Sequence, residues 1–204
     1  MTQLKTTTHN GITLVVPNNV YTPLEDSTML ADAVTKYAHG DVLDMGCGSG
    51  IQGITAAKNK KVTKVTCVDF SPHALRAAKA NAKANKVDKK IKFIKSNLFD
   101  KVHGKFDVVV FNPPYLPVDE MDAGIEEFTL ATWDGGIDGR KLLDPFLQQF
   151  EKHLKPKGIL LLVQSSLNNP KKTNEVLKQK KYKVKIVNEQ KFFFEELIII
   201  KAQK

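Results

Sequence analysis

The stretch VLDMGCGSG, Val42–Gly50, decides the fold. A buried strand, VLDMG, runs straight into a turn with glycines at 46, 48 and 50. Glycines in that place let the backbone turn sharply and approach a ligand closely, and the helix that follows, IQGITAAK, offers its unpaired N–H groups. Downstream, β-branched runs alternate with helical patterns. KVTCVDF is the second strand, and SPHALRAAKANAKAN is a helix with Ser71 as N-cap and Pro72 at its first position. IKFIKSN and FDVVVFN are the third and fourth strands, and GRKLLDPFLQQFEKHL is a helix interrupted or delayed by Pro145. GILLLVQSS is the fifth strand, a Lys-rich helix follows from about Pro170 to Lys180, and YKVKIVNEQ and FFFEELIIIKA close the chain. The turn between those last two strands is too short for a helical crossover, which makes them antiparallel neighbours. The pattern predicts an α/β doubly wound, mostly parallel sheet with an antiparallel last strand.

Upstream of Val42, ITLVV reads as a short strand, and VYTPLEDSTMLADAVTKYA as a loop leading into a helix that starts near Asp26 or Ser27. Residues 1–40 are expected to form an extension that packs over the ligand end of the sheet, within a single domain spanning the 204 residues. The composition, 42% hydrophobic and 26% charged, is that of a soluble globular protein. The longest apolar runs, ILLLV and LIII, are too short to span a bilayer, and MTQLKTTTHNG lacks the apolar core of a secretory signal, so a cytoplasmic location is expected. Cys47 and Cys67 stand at no metal-binding spacing and read as reduced core residues; no metal site is expected. The net charge of +9 fits either an acidic partner such as RNA or a solvated lysine surface. The five histidines are scattered over loops and polar helix positions, and none reads as a ligand or base.

The glycine turn points to a nucleoside site once Asp69 is added, because an acidic side chain at the end of the next strand can hold ribose hydroxyls. Asp44 and the spacing GxGxG, in place of GxGxxG, argue against a dinucleotide: a carboxylate there repels pyrophosphate and suits a cationic amino-acid tail. S-adenosyl-L-methionine has such a tail. Asn97, after the third strand, falls where a side chain could meet the adenine.

FNPPY, Phe111–Tyr115, then sits at the end of the fourth strand, which Pro113 and Pro114 terminate because they cannot donate to the sheet. Its groups suit a planar NH2 acceptor, a poor nucleophile whose lone pair is delocalised. The Asn112 side-chain oxygen and the Pro113 carbonyl can accept its two N–H groups, and Tyr115 offers a flat surface for packing. Catalysis then rests on positioning and electrostatics, without a strong base.

VYTPLEDSTMLADAV, VLDMGCGSG, CVDFSPHAL, VVVFNPPYLP and WDGGIDGRKLLDPF, in this order and spacing, resemble the HemK-type protein-glutamine N5-methyltransferases, in their short archaeal and eukaryotic branch. The resemblance runs from Val20 to the C-terminus. It implies a seven-stranded class I methyltransferase fold (Rossmann-like), with Ser27, Asp44, Gly46, Gly48, Asp69, Asn97, Leu98 and Asn112 at the S-adenosylmethionine pocket and Asn112, Pro113 and Tyr115 at the substrate amide. At the adenine position Asn97 replaces the family's usual acidic residue and can accept a hydrogen bond without charge. The implied substrate is the GGQ glutamine of a class 1 release factor in translation termination, and the implied partner a small zinc-binding activator subunit.

Other readings remain beside these. NPPY also occurs in methyltransferases acting on adenine N6 or guanine N2 of nucleic acids, and a lysine acceptor on a protein is a further alternative. Glu25 and Asp26 read either as pocket residues or as helix N-terminal charges. Trp133 with Gly135, Gly136, Gly139 and Arg140 forms either a lid or the loop that starts a helix. FFFEELIII reads as a core strand whose outer edge, if bare, can pair with a partner.

Overall fold

The computed structural model describes residues 4–116 and 134–204. Seven strands form one sheet: β3 (Gly40–Met45), β4 (Val62–Asp69), β5 (Ile91–Lys95), β6 (Phe106–Phe111), β7 (Leu154–Ser165), β8 (Lys183–Lys191) and β9 (Glu196–Gln203). Their order is β5-β4-β3-β6-β7-β9-β8, and only the pairings of β9 are antiparallel. The chain builds outward from β3 to β5, then returns to lay β6 on the other side of β3, with Met45 opposite Phe111. That reversal opens a crevice at the carboxyl ends of β3 and β6, where ligands of doubly wound sheets bind.

The central strands are apolar throughout because helices cover both faces. Val42, Val65, Val108, Val110 and Leu161 face α1 (Glu25–Tyr37), α2 (Ile51–Lys58) and α3 (Pro72–Ala84). Leu43, Met45, Val109, Phe111 and Leu160 face α4 (Leu143–Gln149) and α5 (Pro170–Gln179). α3 starts as its sequence dictates: the Ser71 hydroxyl accepts from His73 and Ala74 N–H, with Pro72 next. Its buried stripe of Ala74, Ala77, Ala78, Asn81 and Ala82 repeats at helical spacing and lets neighbouring backbone come close.

Four sequence expectations change. The helix at GRKLLDPFLQQFEKHL is shorter than its pattern, running Leu143–Gln149 and continuing as a 3-10 turn, Phe150–His153. Pro145 fits there because an N–H in the first turn of a helix has no intrahelical acceptor. A strand absent from the sequence reading, β1 (Leu4–His9), pairs with β2 (Ile12–Pro17) through a turn in which Asn10 and Gly11 both have positive φ. This hairpin lies against α2 and α3 and not across the strand ends; among the described residues of the N-terminal extension, those between Asn19 and Ser27 reach the crevice. Finally, FFFEELIII is not one core strand. β9 begins at Glu196, Phe193 and Phe194 are exposed in the hairpin tip, and both edges of β9 are paired, so the bare edge on that side belongs to β8.

Three polar side chains hold the hairpin: Asn85 Nδ2 donates to the Thr13 carbonyl at 2.8 Å, Asp32 Oδ1 accepts from Asn10 Nδ2 at 2.9 Å, and Asn81 is the buried one. Asn81, 2% exposed, accepts from Val15 N–H at 2.9 Å and donates to the carbonyls of Val15 at 3.1 Å and Ser49 at 2.9 Å, so its amide acts as a strand neighbour for β2. Asn81→Ala should leave those backbone groups unpaired and destabilise the protein by about 2–3 kcal/mol. Hydrogen exchange should show Val15 losing protection ahead of the central strands; unchanged protection at Val15 would contradict this docking role.

Candidate active site

A cavity of about 450 Å³ occupies the crevice. Each loop that leaves the carboxyl end of β3, β4, β5 or β6 contributes a wall. Gly46 and Gly48 come from the first, Asp69 and Phe70 from the second, Asn97 and Leu98 from the third, and Asn112, Pro113 and Tyr115 from the fourth. Tyr21, Asp26 and Ser27 close it from the N-terminal side. Of the site residues read from sequence, all but Asp44 therefore meet at one cavity.

The glycine turn and Asp69 are built as one unit. Gly48, at φ +53, turns its N–H to Asp69 Oδ2 at 2.8 Å, and Ser71 N–H donates to Oδ1 at 2.8 Å. Both carboxylate oxygens are thereby fixed while each keeps lone-pair capacity for a further donor. Burial raises the Asp69 carboxyl above its ordinary value, and these backbone N–H groups act against that rise.

Asp44 does not line the cavity. Side chains alternate along a strand, and position 44 shares the face of Val42, which α2 covers. Its Oδ2 accepts Gly53 N–H at 2.8 Å and lies 3.8 Å from Cys67 Sγ. Burial pushes the carboxyl up to about 7, with the Gly53 N–H opposing and the Asp69 charge adding to the rise. The role that geometry gives Asp44 is to clamp the start of α2 beneath the glycine turn.

The other end of the cavity is organised around Asn112. Its Nδ2 donates to Asp26 Oδ2 at 2.7 Å, with Ser27 Oγ at 3.4 Å. The Asp26 carboxylate, 2% exposed, takes the Tyr21 hydroxyl at 3.0 Å and Ser27 N–H at 2.6 Å on its other oxygen. Turning the Asn112 amide over would set its oxygen against a carboxylate, so this network fixes which way it faces. Asn112 Oδ1 is then a buried acceptor with no partner among the described residues. Burial, followed by the Asp26 charge, raises the phenols of Tyr21 and Tyr115 above their ordinary range. Gln52 repeats the arrangement: its Nε2 donates to the Ser27 carbonyl at 2.9 Å, and its buried Oε1 has no partner among the described residues.

From sequence alone the role of Asp26 stays open, and Tyr21, Gln52 and Phe70 are not marked as site residues. No local pattern marks Asp26 as a partner of a residue 86 positions away. The aromatic after Asp69, by contrast, was visible in the sequence.

Trp133 lies outside the described residues, but the loop after it is a brace. Arg140, 3% exposed, pairs with Asp144 at 2.6 Å and donates to the Asn168 carbonyl at 2.6 Å and to Thr173 Oγ1 at 3.0 Å. A Cβ on Gly139 would stand 2.5 Å from the Tyr115 carbonyl, so a glycine there lets the loop press on the backbone that carries the aromatic ring.

The family model described as methyltransferase small domain matches residues 20–130. A Methanocaldococcus jannaschii protein provisionally named a protein N5-glutamine methyltransferase is 43% identical over 192 residues, covering 94% of this chain and 95% of that one. Methyltransferase HEMK2 of Mus musculus is 32% identical over 171 residues, 78% of each chain. Among solved structures, the Mtq2–Trm112 complex of E. cuniculi, responsible for methylation of the eRF1 translation termination factor, matches with a TM-score of 0.66 at 28% identity, covering 91% of this chain and 99% of that one.

Asp44 yields a pH test. The folded protein holds the Asp44 proton more tightly than the unfolded chain does, so the group favours the fold below its ordinary value of 3.8, and that contribution is lost as pH rises toward about 7. Asp44→Asn keeps an acceptor for Gly53 N–H and cannot ionise. Its stability relative to the parent protein should therefore climb across that window and level off above it; parallel urea-unfolding profiles against pH would contradict the assignment.

Proposed function

The chain belongs to the methyltransferase small domain family, and on that premise we propose that it is an S-adenosylmethionine-dependent enzyme that methylates the side-chain amide nitrogen of the GGQ glutamine in a class 1 translation release factor. The observation that carries the reading is the Asn112 amide on the cavity wall: its donor is held by a buried carboxylate, and its acceptor has no partner among the described residues. Likeness to the M. jannaschii protein supports a glutamine amide as acceptor, and likeness to the Mtq2–Trm112 complex, responsible for methylation of eRF1, supports a release factor as the protein that carries it. A small activator subunit, zinc-binding by the resemblance, is proposed as a further partner, supported by the presence of Trm112 beside Mtq2.

The wall residues fit the cofactor. Asp69, with both oxygens held by backbone N–H groups, suits ribose hydroxyls, and Phe70 and Leu98 give apolar surface beside Asn97 for a planar base. Gln52 Oε1, without a partner among the described residues, is an acceptor suited to the ammonium of the amino-acid tail, the role the sequence suggests for Asp44. When bound, S-adenosylmethionine supplies a methyl group on a positively charged sulfur that leaves as a neutral thioether.

The chain's own task is to present the acceptor nitrogen. A carboxamide nitrogen shares its lone pair with the carbonyl, and freeing that pair costs conjugation energy. Asn112 Oδ1 accepts one N–H of the substrate amide and holds the nitrogen at the cavity end lined by Pro113 and Tyr115. Because Asp26 fixes Asn112 before substrate arrives, no reorganisation is needed at the reacting centre. Asp26 is thus a positioning residue, and Asn112 the catalytic one.

Methyl transfer from labelled S-adenosylmethionine to purified class 1 release factor tests the proposal. Asn112→Ala should lower kcat by about a hundredfold or more, and Asp26→Asn by about tenfold, since misplacing a reacting group costs rate steeply. Cofactor Kd, read by calorimetry, should stay within about threefold of the parent protein for both variants, because the affected contacts are made at the acceptor end. Full activity in Asn112→Ala would overturn the mechanism, and absence of transfer to the release factor by the parent protein with its activator subunit would overturn the function.

A further inference from the structure

Phe193 and Phe194, at the tip of the β8–β9 hairpin, are 92% and 86% exposed, with ring centroids 4.5 Å apart and planes at 84°. Paired phenyl rings turned to water forgo the burial that drives folding, and contiguous exposed apolar surface marks a site of interaction. The tip also has a defined place. β9 runs antiparallel to β7 with Leu197 opposite Ser165, so the hairpin tip stands at the same end of the sheet, the carboxyl end of the parallel strands, at which β6 delivers Asn112.

Contacts join the two continuously. Glu196 N–H donates to Ser166 Oγ at 3.0 Å; two residues on, Asn168 meets Gly139, and Gly139 lies against the Tyr115 carbonyl. Leu167 and Leu116, exposed along this path, extend the apolar surface toward the cavity mouth. Glu195 completes it. Its Oε1 is buried with no hydrogen-bond partner among the described residues, a costly state for a carboxylate oxygen unless a donor arrives. Its charge also acts on Tyr115, whose phenol is raised first by burial, then by Asp26 and then by Glu195.

We propose that this hairpin tip is the docking surface for the protein that carries the acceptor glutamine, with Phe193 and Phe194 as apolar anchors and Glu195 as acceptor for a backbone N–H of the loop flanking that glutamine. The inference rests on the glutamine methyltransferase reading and deepens it. A glutamine side chain is the same on every protein, so a cavity that fits only the side chain cannot choose among them; selection must come from contacts outside it. The occupant is therefore a folded protein bearing an exposed glutamine loop, and the contact path to Tyr115 is what ties the patch to that occupant.

The test is steady-state transfer to intact class 1 release factor. The exposed double substitution Phe193→Ser/Phe194→Ser should raise KM for the release factor by about tenfold or more with kcat little changed, as loss of uniform binding does. Cofactor Kd should be unchanged, which also reports that the variant is folded. Glu195→Ala should raise KM as well, whereas Glu195→Gln, which keeps a neutral acceptor oxygen, should restore most of the loss. A release-factor KM within about twofold of the parent value in the double variant would overturn the inference while leaving the function intact. So would unchanged KM with loss of a self-associated species in sedimentation, or with loss of activator binding, since either identifies another occupant. Failure of the parent protein to methylate the release factor would instead remove the functional reading, and this inference with it.

Discussion

A hydrogen bond between two side chains 86 residues apart holds the site together: Asn112 Nδ2 donates to Asp26 Oδ2 at 2.7 Å. Asn112 stands where β6 ends at two prolines, and Asp26 in the first turn of α1, which packs against α2. The bond ties the N-terminal segment to the centre of the sheet and fixes the orientation of an amide whose oxygen has no donor among the described residues. Tyr21 and Ser27 N–H occupy the second carboxylate oxygen, so Asp26 has a donor on each side and little freedom to turn. A buried carboxylate is costly to maintain unless its oxygens are satisfied, and here that satisfaction is what aims Asn112.

The rest of the architecture delivers groups to that point. Reversal of strand order at β3 and β6 sets the glycine turn beside the FNPPY loop, and the register that pairs Met45 with Phe111 fixes their relative height. From behind, the loop of Gly135–Arg140 packs on the Tyr115 backbone, where Gly139 admits a close approach and the buried Arg140 guanidinium ties the loop to the start of α5. The glycine-turn end of the cavity is thus backed by α2 and α3, and the Asn112 end by α1 and the arginine brace.

Much of this was legible in the sequence because it is written in residues with special backbone behaviour. The glycines of VLDMGCGSG, Ser71–Pro72 at the head of α3 and the paired prolines of FNPPY each impose a local geometry that owes little to distant partners, and the structure places each as read. Pairings across long sequence distance were not legible: Asp26 looks like an ordinary helix-start charge, and Gln52 like a polar residue in an apolar helix. Asp44 was placed at the cavity for its charge, whereas strand alternation turns it toward Gly53. The FFF run reads as strand because apolar continuity is the strand signal, yet the hairpin turn falls within it, closed by Phe192 N–H donating to the Glu195 carbonyl at 2.7 Å. β1 was missed for the opposite reason: LKTTTH is mostly exposed and carries no apolar alternation, and only the Asn10–Gly11 pair marked the hairpin.

In the proposed reaction a pre-aimed amide oxygen serves a planar nitrogen of a protein glutamine. Fragmentation mass spectrometry of release factor after incubation with the enzyme, the proposed activator subunit and S-adenosylmethionine, with total RNA incubated in parallel, locates the methyl group directly. A gain of one methylene on the side-chain nitrogen of the GGQ glutamine, with RNA unmodified, is the expected result. Methyl groups on adenine or guanine amino nitrogens with the glutamine untouched would contradict the account of the substrate while retaining the chemistry of Asn112, and methylation of a lysine would contradict both.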